Sequence, residues 1–272
     1  MLIHEKKPFV RGSLMLASFL VVFAILLTPV MPDPENPGNH ITGLQFADDV
    51  FNELSKGSSY FIPTVQQAVK PLEGKEVTFT VAMKKGDFAP LAAMLVKKAG
   101  ANALQDGNKL TVTGDLGKIL AAATVDADSM YKNDAAAVVT RYQAEKGVID
   151  GCIDVLKKKD NKPSSTVVTA EQEQALAVTS SWWHTLQPSI KELQKQGMIG
   201  EAKVIDTVVR RALEPGHNFF RVKEAKVSEH VFLMAAMLIF YIIYTLWYGF
   251  SIFELFEGIG LAMTKSKVKK EG

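Results

Sequence analysis

Val231 to Ile252, VFLMAAMLIFYIIYTLWYGFSI, is the stretch on which the fold turns. It carries no charge and is long enough as a helix to cross ~30 Å of hydrocarbon. Tyr244, Trp247 and Tyr248 gather toward its C-terminal end, where amphipathic rings prefer the membrane interface. Next comes FSIFELFEGIGLAM, residues 250–263, with apolar and acidic positions at helical spacing. It reads as an extension lying in the interface or packed against a partner helix, with Glu254 at headgroup level or, inside the bilayer, a candidate for proton transfer. Lys265, Lys267, Lys269 and Lys270 then form a basic tail that reads as a cytoplasmic retention signal.

A second apolar run lies near the other end. Ser13 to Met31, SLMLASFLVVFAILLTPVM, comes after Lys6, Lys7 and Arg11 and precedes Asp33 and Glu35. That charge order keeps the N-terminus inside and exports the chain beyond the run. A cleaved signal peptide has the same layout and is the competing reading. Pro29, Pro32 and the lack of a small-x-small site favour an uncleaved anchor. Arg221, Lys223 and Lys226 oppose the charge rule on the outer side of the second span, but the inner flanks hold more basic residues.

Composition agrees. Mean hydropathy is +0.08 over 272 residues, above what a soluble chain usually averages. With 31 basic against 29 acidic residues, nothing points to nucleic acid, which needs a clustered basic excess. Cys152 is the only cysteine, so no intrachain disulfide can form.

Between the spans the pattern predicts a membrane-anchored α+β protein. Its extracytoplasmic domain is mainly helical and includes a small βαββα, ferredoxin-like part. The expected divisions are a cytoplasmic segment 1–12, a span 13–31, a proline-rich linker 32–41, and a periplasmic domain 42–229. That domain has an α/β part 75–131 and a helical part 133–229. A second span 231–252 leads into an interfacial and basic tail 253–272. Val77 to Met83 alternates as a strand does, and Asn102 to Gln105 with Lys109 to Thr113 flank the turn Asp106-Gly107-Asn108. Asp115 is positioned to cap the next helix. After a polar break at Asp160 to Ser165, Thr169-Ala-Glu-Gln172 reads as a capping box. Pro188 is expected to interrupt the helix begun there, and Pro215-Gly216 to stop the next one.

No catalytic or cofactor motif emerges. His4, His40, His184, His217 and His230 lack metal-site spacing, and GxSxG, GxGxxG and P-loop signatures are missing. Cys152 reads as a buried thiol. Asp48-Asp49 and Asp126/Asp128 read as solvated pairs, because near neighbours on a helix diverge. Trp182-Trp183-His184 is the least ordinary feature. Two adjacent tryptophans cannot share one face, so one packs inward and the other meets a second element, a partner or a ligand.

The arrangement resembles polysaccharide co-polymerases in topology alone. Their proline-rich stretch before the second span has no counterpart here beyond Pro215. The expected role is a non-enzymatic accessory or scaffold subunit of the bacterial inner membrane. Both termini would be cytoplasmic and the domain would bind membrane or periplasmic proteins in an oligomer or hetero-complex. The alternatives are a ligand-sensing module acting through separate partners, or a small subunit of a quinone or haem respiratory complex near His230.

Overall fold

The computed structural model describes residues 3–33, 38–83, 88–159 and 169–261, the side chains at 144 and 154–159 excepted. The lysine tail from Lys265, the polar break at Asp160 to Ser165, and Glu35 with its neighbours in the expected linker lie outside the described residues. The chain is mostly helical, with two small antiparallel sheets, and divides into two compact units. One comprises Met1–Leu54 with Ala225–Gly272, the other Ser55–Glu224.

In the first unit, α1 (Lys6–Leu26) packs along α11 (Val231–Gly258). Both are long and apolar enough to cross a membrane, and none of the most apolar window of α11 is buried within the chain. Glycine brings the two backbones together. A Cβ on Gly12 would stand 2.7 Å from the Leu255 nitrogen, and one on Gly258 would stand 2.6 Å from Phe9 Cα. His4 and Glu5 donate their backbone N–H groups to the Gly258 carbonyl at 2.9 and 3.0 Å. Helix α1 begins and ends earlier than the expected 13–31 span. The basic N-terminal residues join the helix, and Pro29 cannot extend it. Instead β1 (Pro29–Pro32) pairs with β2 (His40–Thr42), which replaces part of the expected linker with a short ribbon. Helix α11 runs unbroken through the expected interfacial segment to Gly258. There Gly260, at φ 81, ends it in a Schellman arrangement: Leu261 N–H reaches the Phe256 carbonyl and Gly260 N–H the Glu257 carbonyl. Helix α2 (Gly43–Lys56) comes directly after β2, and its last turn enters the second unit.

The second unit opens with α3 (Ile62–Val69) and a three-stranded sheet of β3 (Glu76–Ala82), β4 (Asn102–Asp106) and β5 (Lys109–Asp115). The strand order is β3-β5-β4, antiparallel throughout, with α4 (Ala89–Lys98) crossing between β3 and β4. Strand β5 thus lies between β3 and β4, as in a split βαβ unit, and no fourth strand joins the sheet among the described residues. The alternation in β3 sends Val77, Phe79 and Val81 into the core and Thr78 and Thr80 outward. The outward threonines bond to Thr113 and Thr111 of β5. Asp115 caps α5 (Leu116–Tyr131) by accepting from the Lys118 N–H.

Helices α6 (Ala135–Arg141), α7 (Lys146–Lys159) and α8 (Ala170–Lys195) complete the core around Trp182, with the Thr169–Gln172 capping box formed. Two expected breaks are absent. Pro188 lies inside α8, which continues because Leu186, Ser189 and Leu193 are buried on both sides of it. Beyond α9 (Ile199–Val208), a π turn at Val209–Leu213 leads into α10 (Glu214–Asn218). Pro215 lies within this continuous helix, directly after the π turn, which loosens the backbone ladder just where the proline lacks its N–H. Gly216 then meets the backbone of α5 so closely that a Cβ would lie 2.7 Å from the Ala127 carbonyl oxygen.

Candidate functional site

The tryptophan pair divides between two environments. Trp182 is fully buried and donates its Nε1–H to Asp126 Oδ2 at 2.7 Å. Trp183, half-buried, donates to Glu214 Oε1 at 3.2 Å. His184 meets the Phe88 ring at a tilt of 42°, with ring centres 4.8 Å apart. All three therefore meet elements of the same unit.

Asp126 overturns the expectation of a solvated pair. It is fully buried and also accepts from Tyr142 Oη at 2.6 Å and Arg141 Nε at 2.8 Å. Burial raises its carboxyl above the usual carboxylate range, against the pull of Tyr142, Arg141 and Trp182. Burial likewise raises the Tyr142 phenol, helped by the nearby carboxylate. Helical spacing could have revealed this site: Asp126 falls on the face of α5 that carries Ile119, Ala123 and Met130, all buried. Asp128 is engaged too, by Tyr60 Oη at 2.6 Å and Lys132 Nζ at 2.7 Å. The Asp126 knot consists of paired groups, all but Arg141 buried, and is a structural device.

Two hollows in the second unit differ in size. One of about 200 Å³ opens beside Tyr142, below the ~300–1,000 Å³ usual for small-molecule sites. The other, about 520 Å³, lies within that range and is the candidate site. Its walls come from the end of α2, the end of α5 and the segment after α10, and carry Lys56, Lys132, Arg221 and Lys223 against Glu224. Tyr60 and Tyr131 also line it, with ring centres 5.1 Å apart.

Lys56 and Asn133 build this cleft. The buried Lys56 ammonium donates to the Val222 carbonyl at 2.6 Å, the Phe219 carbonyl at 3.0 Å and Asn133 Oδ1 at 3.3 Å. Burial lowers its pKa, partly offset by Glu224. Tyr131 donates its hydroxyl to the Lys56 carbonyl, and burial, then the charge of Glu224, pushes that phenol up to about 12. Asn133 sits at φ 62, donates Nδ2–H to the Val222 carbonyl at 3.0 Å, and accepts the Arg221 backbone N–H at 2.7 Å. Arg221 is itself at φ 69. These two are the only non-glycine residues with positive φ among the described residues, and both line the cleft. Gly57 faces Glu224, whose Oε1 would lie 2.5 Å from a Cβ there. None of these residues stands out in the sequence, because they converge from three distant segments.

Removing the Lys56 ammonium takes a charged donor from the carbonyls of Phe219 and Val222, which keep the Val222 N–H and Asn133 Nδ2–H as their remaining donors. Lys56→Met is expected to cost about 2 kcal/mol, the scale for losing hydrogen bonds donated by a charged group. Thermal unfolding followed by tryptophan fluorescence reads the loss; an unchanged midpoint would contradict this role.

Along the spans, Phe19 stacks on Tyr244 at 4.2 Å and meets Tyr248 at 5.1 Å. Trp247 is half-buried. Arg11 Nη1 binds Glu254 Oε1 at 2.9 Å, so Glu254 is committed to an ion pair between the two helices. His230 lies 3.8 Å from Glu53. No group of residues arranged to hold a metal ion occurs among the described residues. No protein-family model, curated protein or solved structure matches the chain.

Proposed function

We propose that the chain is a non-enzymatic accessory or scaffold subunit of the bacterial inner membrane. In this reading α1 and α11 anchor it, both termini are cytoplasmic, and residues 55–224 are presented in the periplasm to partner proteins of a larger envelope complex. The observation that carries the reading is the self-contained helix pair. Its glycines face inward and an exposed Arg11 bridges the two helices to Glu254, while Leu14, Leu20 and Val21 of α1 and Leu238, Ile239 and Ile243 of α11 stand exposed. Apolar surface of that extent is favourable against lipid or neighbouring helices and unfavourable against water. The pair needs no third helix to satisfy Arg11, which leaves its outer faces available.

Affinity purification of the full chain in mild detergent tests this directly. The same partner chains should co-purify in independent preparations; recovery of a lone monomer each time would contradict the scaffold reading. A second reading, a ligand-sensing module working through separate membrane partners, draws its support from the cleft at Lys56 and Arg221.

A further inference from the structure

We propose that the cleft bounded by Lys56, Lys132, Arg221 and Lys223 binds a phosphate-bearing anion, with Arg221 and Lys223 as the groups that hold it. Its lining carries four cationic side chains and one carboxylate, Glu224, so the balance favours an anion, and one of more than single charge. Two of the cations are already engaged. Lys56 is spent on two carbonyls and Asn133, and Lys132 is paired with Asp128 at 2.7 Å. The Arg221 guanidinium and the Lys223 ammonium have no carboxylate partner among the described residues, and Lys223 is exposed.

The backbone singles out Arg221. Left-handed geometry suits glycine and tolerates asparagine, but it is uncommon for a long side chain. Asn133 nevertheless holds Arg221 there by its N–H, and holds Val222 by its carbonyl. Glycine would fit this turn more easily, so the gain from arginine lies in the guanidinium that the turn delivers to the cleft. A planar fork of N–H donors matches phosphate oxygens. At about 520 Å³ the hollow has room for more than inorganic phosphate. In sequence Lys223 comes eight residues before Val231 of the apolar α11, so a lipid headgroup is one source of phosphate. A soluble phosphate ester is the other.

The test uses the full chain in phosphatidylcholine nanodiscs. Pyrophosphate is titrated in one arm; in the other, phosphatidylglycerol replaces part of the lipid. Arg221→Gly is the central variant because it keeps the backbone and removes the fork. Pyrophosphate should raise the wild-type melting temperature in a salt-dependent way. Arg221→Gly should bind it about tenfold or more weakly, a loss of about 1.4 kcal/mol or more, without melting lower when unliganded. Lys223→Ala should weaken binding as well, and the distant Lys195→Ala should not. Stabilisation by phosphatidylglycerol that Arg221→Gly abolishes would identify the headgroup; a response to pyrophosphate alone would identify a soluble ligand. Equal responses of wild type and Arg221→Gly, or no wild-type response to either probe, would overturn the proposal. Such a failure leaves the scaffold reading untouched, since co-purification of partners is scored separately.

Discussion

Asp126→Ala is expected to destabilise the second unit by about 3 kcal/mol. The figure sits at the low end of the ~3–5 kcal/mol for breaking a buried ion pair, because the Arg141 side chain is 32% exposed and can turn to water. Trp182 Nε1–H and the Tyr142 hydroxyl have no such escape, since both donate to the same carboxylate oxygen inside the core. Asp126→Asn should cost less, about 1 kcal/mol, because its amide oxygen can still accept from both while the bridge to Arg141 is lost. Urea unfolding monitored by tryptophan fluorescence ranks the variants; an alanine variant as stable as wild type would show that the knot contributes nothing.

The same carboxylate sets a pH dependence. Burial raises its folded-state pKa above the ordinary 3.8, so the native protein holds this proton more tightly than the unfolded chain does. Between 3.8 and the raised folded value, the contribution of Asp126 to stability falls as pH rises, and above the folded value it stays level. Wild-type stability minus that of Asp126→Asn should therefore decrease with rising pH across this window. A difference that increases there would reverse the assignment.

Separating the two apolar helices is the other large expected effect. Gly12→Leu combined with Gly258→Leu places side chains where the Leu255 nitrogen and Phe9 Cα lie within 2.7 and 2.6 Å of a mere Cβ. Backbone cannot yield as a side-chain tip does, so the helices must part, and overpacking of this kind costs ~1–3 kcal/mol per site. Parting breaks the 2.9 Å bridge between Arg11 and Glu254. In a Cys152→Ser background, cysteines at positions 11 and 254 should cross-link readily when the glycines are present and fail to do so in the double leucine variant. Equal cross-linking in both would mean that the glycine contacts do not hold the pair.

The features legible in the sequence are those whose cause is local. An uncharged run announces an apolar helix though not its ends, the alternation of Val77, Phe79 and Val81 names the buried face of β3, and Thr169 and Gln172 carry their capping box within a single turn. Asp115 likewise reveals its capping role through position alone. Asp126 misleads because its fate depends on donors 16 and 56 residues away, although its place on the apolar face of α5 is readable. Pro188 and Pro215 look like helix breakers in isolation. Packing on both sides overrides the first, and a π turn just before the second lets the helix run on through it. The cleft lies beyond local reading altogether: Lys56, Asn133 and Arg221 become neighbours through hydrogen bonds spanning 77 and 88 residues.

Everything proposed for function assumes that hydrocarbon surrounds α1 and α11. Alkaline carbonate washing of membranes from cells making the full chain addresses that assumption most directly. The protein should remain in the pellet and enter solution only with detergent. Release into the carbonate supernatant would contradict membrane insertion and remove the basis for the scaffold reading.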